Sequence, residues 1–271
     1  MRAAVTGSPI AHSKSPLLHR AAYAALGLDW QYDRFEVPQG GMAGFVAAHR
    51  TQLRGISITM PGKEEAHDLA DIRSVEAELT GRCNTLLFDD ELRGFNTDVQ
   101  GFSEALRYRH VAVPEQVTII GTGATARSAL VALAHGGATH CDIVARSGES
   151  FGRFAAWAEV LDVHLLHRSF AIGPRDGAGL VISTTPAAAT DALPVPAAPG
   201  LLFDVVYAPW PTGYAAAWMT AGGRVLGGLE LLIHQAAEQV LLMTGVDRSQ
   251  RDRIVEAMYA AVAAEGRASA E

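Results

Sequence analysis

"VTIIGTGATARSALVAL", Val117–Leu133, is the stretch whose reading decides the fold. Val117, Ile119 and Ile120 form an apolar run short enough for a buried strand, Gly121 breaks it, and Leu130, Val131 and Leu133 supply the apolar face of a helix. Gly121, Gly123 and Ala126 fill the pattern G-x-G-x-x-G/A. The first glycine allows a tight turn, the second lets the backbone approach a pyrophosphate, and the small third residue lets helix and strand pack closely. The free N–H groups at the helix start and their partial positive charge suit phosphates. A dinucleotide site is therefore expected here, with a purely structural glycine turn as the alternative.

The following strand, "HCDIVAR" (140–146), bears on which dinucleotide is bound. Strands at this place in NAD sites end in Asp or Glu, which accepts from the ribose 2′-hydroxyl. Here Ala145 stands in the acid's place, followed by Arg146 and Ser147. A carboxylate would repel a 2′-phosphate, whereas a guanidinium clamps it with charge-assisted bonds. The residues favour NADP, and the alternative is that Arg146 is a solvated charge at a strand end.

Outward from this unit, strand and helix patterns alternate along most of the chain, which implies crossover connections and a mainly parallel sheet covered on both faces. The fold class is α/β. In the first hundred residues, strands are expected at 2–7, 30–37 and 55–60, the last ("GISITM") with Ile56, Ile58 and Met60 alternating against Ser57 and Thr59. One helical region is expected from Glu64 to about Thr80, then a hairpin turning at Asp89-Asp90. Apolar residues at Leu229, Leu232, Ile233, Ala236, Ala237, Val240 and Leu241 form one helical stripe. A last helix spans roughly 249–264, and "EGRASAE" is expected to fray.

Composition narrows the function. The 271 residues are 49% hydrophobic and 19% charged, ordinary globular proportions. A net charge of −7 argues against nucleic acid as a partner. No 18-residue apolar stretch suggests a membrane span, and "MRAAVTGSPIAHSKS" has no apolar signal core, so a cytoplasmic protein is expected. Cys83 and Cys141 have no metal-ligand spacing, so no metal is expected.

Polar residues at the expected strand ends of the first unit are candidates for chemistry: Ser13 and Ser15, Thr59, Lys63, Asn84 and Asp98. Each has a plainer reading. The serines suit helix caps before Pro16, Asn84 and Asp98 suit turns, and a lysine beside Glu64 and Glu65 is ordinarily a surface charge.

Taken together, the segments resemble the shikimate dehydrogenases over nearly the whole chain. The resemblance is carried by "GSPIAHSKSPLLH", "GISITMPGKEEA", "CNTL", "NTD" with Gly101 after it, "GTGATARSA", "VARS", "ISTTP", "DVVYAPWPT" and "GGLELLIHQAAEQ". It implies two domains: 1–100 plus 229–271 for substrate and catalysis, and 101–228 as a Rossmann-type NADP-binding domain, with the C-terminal helices returning to the first. It implies NADPH-dependent reduction of 3-dehydroshikimate to shikimate on the route to aromatic amino acids. By that match Ser13, Ser15 and Tyr207 hold the substrate carboxylate, and Thr59, Asn84, Asp98 and Gln235 bind ring hydroxyls. Lys63 donates the proton, and Asp98 orients it. The cofactor falls to Gly121, Thr122, Gly123, Ala124, Thr125, Ala145, Arg146 and Ser147, with Val205 and Gly228 at the nicotinamide.

The chain departs from the family pattern at Ala124 and Thr125, at Ala145, where asparagine often stands, and at Ser150, where a second arginine often stands; Arg153 is the candidate substitute. Two rival readings are a quinate/shikimate dehydrogenase using NAD and a non-catalytic sensor of shikimate-type acids. A monomer or a homodimer fits either reading.

Overall fold

A computed structural model describes residues 1–268. The chain divides into two compact units, Met1–Gly101 with the chain from Leu232 onward, and Phe102–Leu231. Each is an α/β unit built on its own six-stranded sheet.

The first unit opens with β1 (Arg2–Gly7), α1 (Ser15–Ala25), β2 (Gln31–Glu36), α2 (Met42–His49) and β3 (Gly55–Ile58). It continues with α3 (Lys63–Leu69), β4 (Ile72–Arg73), α4 (Val75–Thr80), β5 (Thr85–Phe88) and β6 (Leu92–Phe95). Sheet order is β2-β1-β3-β5-β6-β4. The β1–β2, β1–β3 and β4–β6 pairs are parallel, while β5 runs antiparallel to both β3 and β6, so this sheet is mixed.

Strand period 2 sorts β1 between two cores. Ala3 and Val5 pack in a cluster with Leu18, Tyr23, Ile233, Val240 and Met258, whereas Ala4 packs with Met42, Phe45, Ile56 and Ala66. The sheet is thus covered on both faces.

Helix α5 (Thr97–Tyr108) leads into the second unit. There follow β7 (Gln116–Ile120), α6 (Ala124–His135), β8 (His140–Ala145), α7 (Gly148–Ala158), β9 (His164–Ser169), β10 (Leu180–Ser183) and α8 (Ala187–Thr190). Next come β11 (Leu201–Asp204), α9 (Gly213–Thr220) and β12 (Arg224–Leu226). All strand pairs in the order β12-β11-β10-β7-β8-β9 are parallel. Order reverses at β7, whose neighbours are β10 and β8, and such a switch point opens a crevice at the strands' carboxyl ends. Helices α10 (Gly228–Thr244) and α11 (Arg251–Ala268) end the described chain.

Three expectations about local structure need correction. "GISITM" is a strand only to Ile58; Ser57 is as buried as its neighbours, and Met60 is 72% exposed. The strand is therefore covered on both faces, and the alternation reflects no wet side. The helical region 64–80 is two helices, because Ile72 and Arg73 pair with Arg93 and Gly94, and Ser74 starts a new helix by accepting from the Ala77 N–H. The tail stays helical through Ala268, beyond the expected start of fraying; residues 269–271 fall outside the described residues.

Candidate active site

Lys63 is placed by a short turn. Strand β3 ends at Ile58, the Gly62 N–H closes back on the Thr59 carbonyl (3.1 Å), and α3 begins with Lys63. The Lys63 carbonyl then accepts from the Cys83 N–H (3.0 Å), which sets this helix start beside "CNT". Asn84 is knitted between strand ends: its N–H donates to the Phe95 carbonyl (2.9 Å) and its carbonyl accepts from the Ile58 N–H (2.7 Å). Asp98 lies in the first turn of α5, with its N–H on Asn96 Oδ1 (3.1 Å).

The side chains converge. Lys63 Nζ donates to Asp98 Oδ2 at 2.5 Å, with side chains only 15% and 9% exposed. Asn84 Nδ2 donates to Asp98 Oδ1 (2.9 Å) and lies 3.4 Å from Gln235 Oε1 on α10. Asn84 Oδ1 accepts from the Thr97 N–H (2.8 Å) and the Thr85 hydroxyl (2.9 Å). Gln239, one turn beyond Gln235, donates to the Asn84 carbonyl (3.3 Å) and to the Thr85 hydroxyl (3.1 Å). A surface position for Lys63 and turn roles for Asn84 and Asp98 are thus replaced by one mostly buried polar network, in which short donors and acceptors can fix several hydroxyls.

The serine segment is held independently. Lys14 takes the N-cap position of α1 and makes no side-chain cap bond, so of the two serines only Ser13 meets a free N–H at the helix start. Ser13 Oγ accepts from the Ser15 N–H (3.3 Å), and the Ser13 carbonyl accepts from Arg34 (2.8 Å). The Ser15 carbonyl accepts from His19 Nδ1 (2.9 Å), and Lys14 forms an ion pair with Glu265. Thr59 is exposed at the end of β3, its N–H on the Thr6 carbonyl (2.9 Å).

In the second unit, the glycine turn follows β7. Gly121 has φ +108°, in the region that favours glycine, and a Cβ there would come within 2.6 Å of Thr184 Oγ1. Gly123 is the N-cap of α6 without a side-chain cap, and Ala124 and Thr125 open the helix beyond Thr122, so its first N–H groups have no side-chain oxygen as their cap. Ala145 is buried at the end of β8 and Arg146 is exposed just past it. Ser147 caps α7 by accepting from the Ser150 N–H (3.2 Å). Arg153, the candidate second arginine, forms an ion pair with Glu149 on the same helix. These residues fit a dinucleotide carrying a 2′-phosphate: a glycine-permitted turn, a helix start with no side-chain cap, and a cation where NAD sites have an acid. Val205 and Tyr207 lie in the loop after β11, and Gly228 starts α10 with its N–H on the Val206 carbonyl (3.1 Å).

Two members of this network, Thr97 and Gln239, are not marked out by the residue pattern. Thr97 lies within "NTD", beside the acid that the resemblance singles out, and Gln239 lies one turn from Gln235 on the same helix.

One unit with an all-parallel sheet and a glycine turn at its switch point, and another holding a mostly buried lysine–carboxylate pair among amides, define a two-unit α/β dehydrogenase. A profile of the shikimate dehydrogenase substrate binding domain matches residues 5–86. The NADP(+) shikimate dehydrogenase of Geobacter metallireducens is 35% identical over 270 residues, covering 90% of this chain and 91% of that one. The crystal structure of Mycobacterium tuberculosis shikimate dehydrogenase superimposes with a TM-score of 0.82 at 37% identity, covering 96% of this chain and 99% of the other. The Thermus thermophilus enzyme in complex with NADP(H) and shikimate gives 0.79 at 30% identity, covering 96% and 99%. The chain belongs to the shikimate dehydrogenase family.

Proposed function

We propose that this protein catalyses the reversible, NADPH-dependent reduction of 3-dehydroshikimate to shikimate, a step toward aromatic amino acids. The observation that carries the reading is the Lys63–Asp98 pair, bonded through Asn84 toward Gln235 in the unit that contains the substrate-binding match. The relatives' NADP(+) dependence and the arginine after β8 support the cofactor.

When bound, NADPH supplies the hydride. The chain's own residues supply the rest. As the carbonyl carbon is reduced, negative charge grows on its oxygen, and the Lys63 ammonium is the group to stabilise that charge and transfer a proton to it. Asp98 holds the amine by its Oδ2 while Asn84 fixes the other carboxylate oxygen, so Asp98 orients more than it transfers protons. Thr59, Asn84, Asp98 and Gln235 bind ring hydroxyls, and Ser13, Ser15 and Tyr207 take the carboxylate. Gly121–Thr125 hold the pyrophosphate, Ala145–Ser147 the 2′-phosphate end, and Val205 and Gly228 the nicotinamide. In this reading residues 1–100 with 229–271 form the substrate domain and 101–228 the cofactor domain, and the enzyme works in the cytoplasm. Among the described residues no helix is long and apolar enough to cross a membrane.

The test is turnover of shikimate and quinate with NADP and with NAD, followed by the absorbance of the reduced nicotinamide. Shikimate with NADP should be the preferred pair. Preference for quinate with NAD would replace this reading with a catabolic one, and no turnover with any pair would leave a binding protein.

A further inference from the structure

We propose that Asp204 is a positioning residue: its buried carboxylate clamps the two ends of the Val205–Pro211 loop and so sets Val205 and Tyr207 for binding. This rests on the roles given to those two residues above. Asp204 ends β11 and is 1% exposed. Its Oδ1 accepts from the Val206 N–H (3.2 Å), just inside the start of the loop. Its Oδ2 accepts from the Thr212 hydroxyl (2.7 Å), just past the loop's end. Thr212 in turn caps α9 by accepting from the Ala215 N–H (3.1 Å). One carboxylate therefore bonds to both ends of the segment, and the second bond ties it to a helix.

Other contacts complete the fastening. The Val205 N–H donates to the Ser183 carbonyl (3.0 Å) and the Gly228 N–H to the Val206 carbonyl (3.1 Å). A Cβ on Gly228 would land on the Val205 carbonyl oxygen, and one on Gly227 would come within 2.9 Å of the Trp210 ring, so this glycine pair lets the loop lie flat against the start of α10. A buried carboxylate is costly unless its oxygens are satisfied. Apolar packing would close a β11–α9 corner at less cost, so a carboxylate whose two oxygens bond at opposite ends of the loop points to placement. Burial pushes the Asp204 carboxyl above the ordinary range, against the pull of its hydrogen bonds.

Two variants test this: Asp204→Asn, which keeps shape but turns one acceptor into a donor, and Thr212→Val, with Thr212→Ser as the conservative rescue. Two readouts are needed, amide exchange over residues 205–212 and steady-state kinetics. We expect exchange at Val206 to quicken in Asp204→Asn. KM for shikimate should rise about tenfold, the scale of one lost hydrogen bond to a charged group, with kcat changed much less. Tyr207→Phe added to Asp204→Asn should cost no more than the worse single change, because Asp204 acts through the loop. Thr212→Ser should restore what Thr212→Val loses. Unchanged exchange would overturn the clamp, and so, where Tyr207→Phe itself raises KM, would an unchanged KM in Asp204→Asn or additive losses in the double variant. If Tyr207→Phe alone leaves KM untouched, the carboxylate role of Tyr207 falls. The clamp then stands if Asp204→Asn still weakens NADPH binding through Val205, and falls if it does not.

Discussion

Lys63 and Asp98, thirty-five positions apart, meet as an ammonium–carboxylate pair with Nζ 2.5 Å from Oδ2. The pair is oriented because the other carboxylate oxygen is already taken by Asn84. Lys63→Ala should lower kcat by about 10²–10⁴ and leave KM within a few-fold, since proton donation acts mainly in the transition state. Steady-state rates on shikimate check this, and a kcat near wild type would end the proton-donor assignment.

Arg146 is exposed after a strand that ends in buried Ala145, so its charge is available to a ligand. Arg146→Ala should weaken NADPH by about tenfold or more while NADH binding barely changes, because only NADPH carries the 2′-phosphate. Fluorescence titration of both cofactors decides it, and equal losses would remove the 2′-phosphate contact of Arg146.

Gly121 combines positive φ with the close approach of Thr184. Gly121→Ala should destabilise the protein by about 1–3 kcal/mol, from backbone strain and displacement of the threonine. It should also weaken cofactor binding. Denaturant unfolding with and without NADPH measures both, and an unchanged midpoint would show that the turn tolerates a side chain.

His19 is buried, stacks on Tyr32 with ring centroids 3.9 Å apart, and donates from Nδ1 to the Ser15 carbonyl. Burial lowers its pKa from 6.5 to about 4, against the opposing effect of the Ser15 bond. Between those values the unfolded chain takes up a proton that the folded chain refuses, so acid favours unfolding. The contribution is whole above about pH 6.5 and is lost as pH falls toward 4, a swing of about 3 kcal/mol. Urea unfolding across this window should show a shallower pH slope for His19→Phe than for wild type. Identical slopes would mean that His19 does not titrate as described.

Both cysteines are buried, and burial pushes the Cys83 thiol up to about 12 and the Cys141 thiol higher than usual. Thiolate is the reactive form, so the native protein should react with a thiol reagent at mildly alkaline pH many times more slowly than the denatured chain. Rapid labelling of the native protein would place at least one thiol at the surface.

The dinucleotide unit was legible in the sequence because its signals are local. A strand, a glycine turn and a helix lie within Val117–Leu133, and each follows from backbone geometry that the residues themselves impose. The separation of α3 from α4 was not legible, because Ile72–Arg73 is a strand only through its pairing with Arg93–Gly94. Nor could residue patterns alone distinguish Lys63 from a surface lysine; family resemblance supplied the expected role. The network itself exists only in three dimensions. Asn84 is held between the ends of β3 and β6, and Gln235 reaches it from a helix 151 positions along the chain. Chain order thus determined which residues were available and how each segment folds on itself. The tertiary structure decided which of them share a site, because hydrogen bonds between distant segments depend on where sheets and helices bring the backbone.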